Sequence, residues 1–296
     1  MNFPLFTGCA TALITPFLPD GRLDEPALRR LLAMQTAAKM DALVLLGTTG
    51  EPCTLSMDER ERIIEIGLEC TGGSIPVIVG TGSNDTRRAI EYACQAQRLG
   101  AAGQLSVTPY YNKTTQSGLI RHYHAILDAC PLPMILYNVP GRTGVNMKAA
   151  TTCRIAKDFP NIVGIKEASG SLEQVDEIIK NKPEGFEVIS GDDALTFPMI
   201  ASGAVGVISV IGNALPRQFS RMIRLEFEGN YGEARKIHHQ FTELYKLLFV
   251  DGNPAGVKAL LNDMGMIENV LRLPLVPTEV TTKQKMADIL KALHVE

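Results

Sequence analysis

Short apolar runs alternate along this chain with longer stretches whose apolar residues recur every three or four positions. The first pattern is that of a strand buried on both faces, the second that of an amphipathic helix. The predicted strands cover residues 11–17, 42–46, 76–80, 103–107, 133–138, 162–167, 186–190 and 204–208. Several intervening stretches carry helix start and stop signals. Ser56-Met57-Asp58-Glu59 and Ser171-Leu172-Glu173-Gln174 fit a capping box, in which two side chains satisfy orphan amides of the first turn. Asp24 before Glu25-Pro26 suits a helix start, and Gly100 and Gly185 suit helix stops.

Strands alternating with helices imply βαβ units on a parallel sheet. Eight units over roughly 220 residues match a closed (β/α)8 TIM barrel, which typically needs about 250. An open doubly wound sheet is the alternative. It usually carries a glycine-rich phosphate turn after its first strand, and none follows Phe17. Gly80-Thr81-Gly82 completes neither G-x-G-x-x-G nor a Walker pattern and reads as a tight turn. After about residue 226 the strand pattern stops. Residues 231–249, 256–264 and 283–293 read as helices, joined by Asp251-Gly252-Asn253-Pro254 and by Leu273-Pro274-Leu275-Val276-Pro277. The expected organisation is a barrel over residues 1–225 and a C-terminal helical domain over 226–296.

Composition narrows the function classes. Hydrophobic residues at 45%, charged residues at 21% and a formal net charge of -3 describe an ordinary globular chain with no basic footprint for nucleic acid. The longest weakly polar stretch, 199–212, is too short and too broken to span a membrane. Met1-Asn2-Phe3-Pro4 lacks the basic start and apolar core of an export signal, so a cytoplasmic location is expected. Cys9, Cys53, Cys70, Cys94, Cys130 and Cys153 are scattered singly and read as small core residues in a reducing compartment. His122 and His124 lie two apart on a predicted helix, His238 and His239 are adjacent, and His294 is near the terminus. None has metal-ligand spacing, and no metal is expected.

One charge is out of place. Lys166 closes the apolar run Ile162-Val163-Gly164-Ile165-Lys166. A buried ammonium responds by losing its proton more readily, and a neutral lysine amine forms Schiff bases with carbonyl compounds. The plain alternative is a strand-end lysine whose ammonium reaches water. The barrel decides against it, because C-terminal strand ends form the active face. Three more strands finish there in polar motifs: Gly47-Thr48-Thr49-Gly50-Glu51, Thr108-Pro109-Tyr110-Tyr111-Asn112, and Tyr137-Asn138 followed by Val139-Pro140-Gly141-Arg142-Thr143-Gly144. Alternation places Lys166 on one face with Ile162 and Gly164, with Glu167 opposite and Gly164 leaving room beside the lysine. Tyr137 on the neighbouring strand comes within hydrogen-bond range of the amine and can relay protons. Thr48 and Thr49 offer hydroxyls and amides in a glycine-flanked turn, either an ordinary turn or a carboxylate cradle. Arg142 is a solvated loop arginine or a bidentate carboxylate partner. Tyr110 and Tyr111 fit packing and interface roles as well as catalysis.

As an ordered set, these motifs, with Gly164-Ile165-Lys166-Glu167-Ala168 and Ser190-Gly191-Asp192-Asp193, resemble the dihydrodipicolinate synthase family. That family lies within the class I pyruvate-aldolase superfamily that includes N-acetylneuraminate lyase. The resemblance runs from about Phe6 to the C-terminal helices. It implies a lyase with no cofactor beyond a covalent Lys166–pyruvate imine, whose enamine attacks L-aspartate 4-semialdehyde to give 4-hydroxy-tetrahydrodipicolinate, on the route to diaminopimelate and lysine. It further implies that Tyr137 relays protons with Thr48 and with Tyr111 from a neighbouring subunit. Thr49 would hold the pyruvate carboxylate through its amide, Arg142 would hold the semialdehyde carboxylate, and Gly191 and Ile208 would line the pyruvate pocket. Members are typically homotetramers.

Sialic-acid lyases usually have Ser-Thr in place of Thr48-Thr49 and lack an arginine matching Arg142, which favours the synthase over a related sugar-acid lyase. A non-catalytic pyruvate-binding barrel is the other rival, and binding alone does not need a nucleophilic amine. One departure concerns regulation. Lysine-inhibited relatives tend to carry polar ligands where this chain has Pro52, Cys53, Met57 and Arg60, and a glutamate at Arg88, while Asn84 and Tyr110 match the regulatory pattern. Weak or absent lysine feedback is the expectation, since an arginine repels an ammonium.

Overall fold

Eight parallel strands close on themselves: β1 Gly8–Ala12, β2 Ala42–Leu45, β3 Val77–Gly80, β4 Gly103–Val107, β5 Met134–Asn138, β6 Ile162–Glu167, β7 Glu187–Ser190 and β8 Gly206–Ser209. The computed structural model describes residues 5–293, so Met1-Asn2-Phe3-Pro4 and His294 lie outside the described residues. Helices α1 Glu25–Ala37, α2 Met57–Thr71, α3 Thr86–Leu99, α4 Gln116–Ala129, α5 Pro140–Thr143, α6 Ala149–Asp158, α7 Leu172–Asn181, α8 Thr196–Ala201 and α9 Pro216–Phe227 intervene between strands or follow β8. Three more follow: α10 Tyr231–Val250, α11 Ala255–Asp263 and α12 Val280–Ala292. The expected (β/α)8 barrel with C-terminal helices is therefore the observed architecture. No helix among the described residues is long and apolar enough to cross a membrane.

Strand alternation builds two cores. Ala10, Ala12, Ala42, Val44, Ile78, Leu105, Ile135, Ile189 and Ile208 fill the barrel interior, and Leu43, Leu45, Val77, Val79 and Leu136 pack outward on the helices. Each fully buried Leu, Ile or Val contributes about 1.5–3 kcal/mol of transfer free energy, while buried polar strand residues such as Thr11 and Gln104 are held by hydrogen bonds to the Gln35 side chain and the Leu132 carbonyl. The signals at the helix ends are partly as expected. Ser56 and Glu59 form the full capping box of α2, Asp24 caps α1, and Gly100 ends α3 with φ 94°. Ser171 accepts from the Gln174 amide, but the Gln174 side chain turns to Asn146, Met147 and Glu167 instead of closing the box. Gly185 lies beyond the end of α7, in the turn to β7.

Three expectations need correction. The first strand ends at Ala12 and does not reach residue 17. The Leu13 and Ile14 amides donate to Val44 and to Asn213 Oδ1, and residues 13–17 form a buried mouth loop around Pro16. Apolar composition cannot mark that end, because loop and strand are equally buried. Second, Cys53 and Cys94 are exposed and Cys70 half-buried, so only Cys9, Cys130 and Cys153 are core residues.

The third correction concerns β6. Ile162 does not share a face with Lys166. Met134 pairs with Ile162 but Ile135 pairs with Gly164, leaving Val163 as an extra residue in β6. Ile162 accordingly packs in the outer core and Val163 in the inner one. A one-residue slip reverses every later side chain. Without this bulge, Lys166 would point out among the helices. The bulge aims it into the barrel.

Candidate active site

Lys166 stands directly across from Tyr137 in the β5–β6 register. Its side chain is buried, with Nζ 4.6 Å from the centre of the Tyr137 ring. The amine thus meets the ring face, not the phenol oxygen as alternation alone suggested. Burial drops its pKa to about 8, with the Asp193 and Asp192 carboxylates pulling it back up and Arg142 pushing it further down. Two glycines beside it have separate tasks. At Gly191, an added Cβ would stand 2.7 Å from the Ala168 methyl and 3.0 Å from Lys166 Cε, so the lysine chain lies against bare backbone there. At Gly164, a Cβ would stand 2.6 Å from the Glu187 carbonyl. That glycine lets β7 approach the bulge and makes no room for the lysine, as had been expected of it.

Tyr137 is buried, and burial raises its phenol pKa, while the Arg142 charge and the Thr48 hydroxyl hold it back. Tyr137, Thr48 and Arg142 share the wall of a cavity of about 350 Å³. Arg142 is exposed and, among the described residues, makes no ion pair. Lys166, Thr49, Gly191 and Ile208 are not part of that wall. Ile208 belongs to the inner barrel core. Asp193 is buried beside β8, accepting from the Val210 and Ile211 amides at 3.0 and 2.8 Å, and burial lifts its pKa to about 6.

Thr48–Gly50 form a single 3-10 turn, whose first amides have no intrahelical partner. Thr49 is buried, and its hydroxyl accepts from Asn253 Nδ2 at 3.0 Å. The next residue but one, Glu51, has φ 53° and a fully buried carboxylate paired with Lys258 Nζ on α11. Lys258 also donates to the Val270 carbonyl at 2.9 Å, and the Arg272 amide donates to Glu51 Oε2 at 3.2 Å. The C-terminal helical segment therefore grips the turn that carries Thr48 and Thr49. Sequence reasoning missed Lys258 and Asn253. The signal was present: Val257-Lys258-Ala259-Leu260-Leu261 places a charge inside an apolar run, as at Lys166.

Tyr111 lies outside the cavity. Its side chain is 90% exposed and its φ is 69°, and the Asn112 amide bonds back to the Tyr110 carbonyl at 2.9 Å. This is a γ-turn of the strained, positive-φ kind. The structure brings together Lys166, Tyr137, Thr48 and Arg142, and leaves Tyr111 pointing away from them.

Fold and site define a (β/α)8 barrel with a desolvated lysine at its C-terminal mouth, opposite a buried tyrosine. The dihydrodipicolinate synthetase family model matches residues 5–293, and the chain belongs to that family. It is 56% identical to the 4-hydroxy-tetrahydrodipicolinate synthase of Phocaeicola vulgatus over 98% of this chain and 97% of that one. The corresponding enzyme of Parabacteroides distasonis is 54% identical with the same coverage. Among solved structures, the dihydrodipicolinate synthase of Thermotoga maritima superposes with a TM-score of 0.97 at 45% identity, covering 99% of this chain and 100% of that one.

Proposed function

We propose that this chain condenses pyruvate with L-aspartate 4-semialdehyde as a 4-hydroxy-tetrahydrodipicolinate synthase, with Lys166 as the imine-forming nucleophile. The observation that carries the reading is a desolvated amine held over Tyr137 at the active mouth of a barrel of this family. The enzyme is a lyase, and its chemistry serves diaminopimelate and lysine biosynthesis. The neutral Lys166 amine attacks the pyruvate ketone, water leaves, and loss of a methyl proton gives the enamine that attacks the aldehyde. Tyr137 relays protons, supported by the Thr48 hydroxyl beside it. The Thr49 amide receives the pyruvate carboxylate, with Gly191 and Ile208 shaping the pocket. Arg142, unpaired at the cavity wall, receives the semialdehyde carboxylate. No cofactor takes part.

We further place Tyr111 in a neighbouring subunit's site. An exposed aromatic held at a positive φ is a strained backbone that intersubunit packing would justify. A homotetramer in the cytoplasm, with the barrel at 1–225 and a helical domain at 226–296, is the assembly this reading entails. The test of the whole is borohydride reduction in the presence of pyruvate, followed by peptide mass spectrometry. A pyruvyl adduct on Lys166 is expected, and an unmodified Lys166 sinks the proposal. Turnover with pyruvate and aspartate semialdehyde, but not with N-acetylneuraminate, separates the synthase from a sugar-acid lyase.

Arg142→Ala is expected to raise the KM for aspartate semialdehyde by roughly 10–100-fold, consistent with loss of a charge-assisted pair, and to leave pyruvate adduct formation intact. Unchanged kinetics for both substrates would show the assignment to be wrong. Lysine feedback is expected to be weak. Arg88 is exposed and paired with Glu91 at 2.9 Å, and Arg60 is a buried cation on the cavity wall that Tyr110 also lines. Strong inhibition of the purified enzyme by sub-millimolar lysine would contradict this.

A further inference from the structure

Glu167 follows Lys166 on β6 and points the opposite way, out of the barrel. It is 1% exposed and forms no ion pair among the described residues. Its carboxylate is met only by donors. Asn138 Nδ2 donates to its two oxygens at 3.2 and 3.0 Å, the Ser169 amide to Oε1 at 2.7 Å, and Gln174 Nε2 to Oε2 at 3.1 Å. Burial pushes its pKa up, and those donors hold it back. A buried anion without a cation is costly, and no neutral side chain accepts from all of those donors at once.

What this anion holds is the far end of the loop that carries Arg142. Asn138, the last residue of β5, is fully buried and also donates to Asn146 Oδ1 at 2.8 Å. Its own Oδ1 accepts from the Met147 amide at 2.9 Å. Gln174 closes the circuit, accepting from Asn146 Nδ2 at 2.8 Å and donating to Asn146 Oδ1 at 3.2 Å. Among the described residues, 145–147 make no backbone-to-backbone hydrogen bond, and every bond they make involves a side chain. The α5 turn before them is bonded within itself, the Arg142 and Thr143 amides donating to the Val139 carbonyl, so its placement follows that of its ends. The strands are held independently. The Ala168 amide donates to the Asn138 carbonyl and the Gly191 amide to the Glu167 carbonyl, each at 2.9 Å.

We propose that Glu167 is a positioning residue for the second substrate: through Asn138, Asn146 and Gln174 it fixes the exit of the Arg142 loop, and with it the place where Arg142 meets the carboxylate of the incoming aldehyde. This deepens the reading given above and rests on Arg142 holding that carboxylate.

Glu167→Met fills similar space and accepts none of these hydrogen bonds. Its kcat/KM for aspartate semialdehyde is expected to fall by about tenfold or more, as slight misplacement of a substrate-holding group does. The rate of borohydride-trapped pyruvate adduct formation, which does not need Arg142, should stay within about twofold of the parent. Arg142→Ala/Glu167→Met should be no worse than Arg142→Ala alone, because a guanidinium already absent cannot be misplaced. Glu167→Gln keeps one acceptor oxygen and is expected to lie between the parent and the Met variant. Gln174→Ala covers the case of a Met variant that does not fold, since Gln174 is only half-buried and its own amide still meets the Ser171 cap of α7. It should show the same selective loss at about threefold, again absent on the Arg142→Ala background. Unchanged semialdehyde kinetics in the Glu167→Met and Gln174→Ala variants, an equal loss in pyruvate trapping, or losses that multiply in the double variants would each overturn the inference and leave the synthase reading intact. Normal semialdehyde kinetics in Arg142→Ala itself would overturn the Arg142 assignment, and the inference with it.

Discussion

Lys166→Met lowers turnover by at least about 10^4-fold and abolishes the borohydride-trapped pyruvate adduct, because covalent catalysis has no second route once its nucleophile is gone. Methionine nearly matches lysine in shape and carries no charge into a site from which water is excluded. The variant is therefore expected to fold and to melt no lower than the parent. An adduct that persists at this position, or turnover within tenfold of the parent, would remove Lys166 from the mechanism. The native enzyme supplies an independent check through pH. With the amine at about 8 rather than 10.5, roughly a tenth of it is neutral at pH 7, some 300-fold more than for an ordinary lysine. Imine formation measured under single-turnover conditions should rise with pH up to about 8 and then level off. The stability consequence has the same sign. The folded pKa lies below the unfolded one, so between about 8 and 10.5 the unfolded chain binds the extra proton and stability climbs with pH. Methionine removes that contribution.

Why the lysine was legible and its orientation was not follows from what a sequence encodes. A cation at the end of an apolar run is visible wherever it occurs, and the alternation of strands and helices locates it at a barrel mouth. Its facing direction depends on Val163 being an extra residue in β6, and nothing in Ile162-Val163-Gly164 announces a bulge except the glycine. The alternation argument grouped Lys166 with both Gly164 and Ile162, and it failed at Ile162, on the far side of the slip. The inward direction of Lys166 was inferred from its place at the barrel mouth. The first strand's end was illegible for another reason: residues 13–17 are buried loop, and burial is what composition reports. Arg60 illustrates a third limit. The sequence places an arginine in the first turn of α2 after a capping box, at a position of the regulatory pattern, and carries no signal of its burial. Only the approach of Tyr92 and Gly80 turns it into a buried one.

Lys258→Met is expected to destabilise the protein by about 3–5 kcal/mol, because it leaves the Glu51 carboxylate charged and without its partner in a fully buried site. Desolvation has already pulled the Lys258 ammonium down to about 8 against the attraction of Glu51, which marks the pair as one whose water has been stripped from both sides. The same physics predicts that Glu51→Gln/Lys258→Met recovers most of the loss, since removing both charges removes the orphan as well. A double variant as unstable as the single one would mean that packing against Phe17, whose ring centre lies 4.3 Å from Lys258 Nζ, matters more than charge. Chemical unfolding midpoints decide between the two. The pair also has a functional reading. Glu51 closes the turn that presents Thr48 and Thr49, and the Asn253 side chain holds Thr49 from the same helical segment. Loosening the grip on that turn should raise the KM for pyruvate in Lys258→Met more than it lowers kcat, and the double variant should recover stability without recovering the KM. If instead KM tracks stability through all three variants, the C-terminal helices hold the barrel together without setting the geometry of its pyruvate turn.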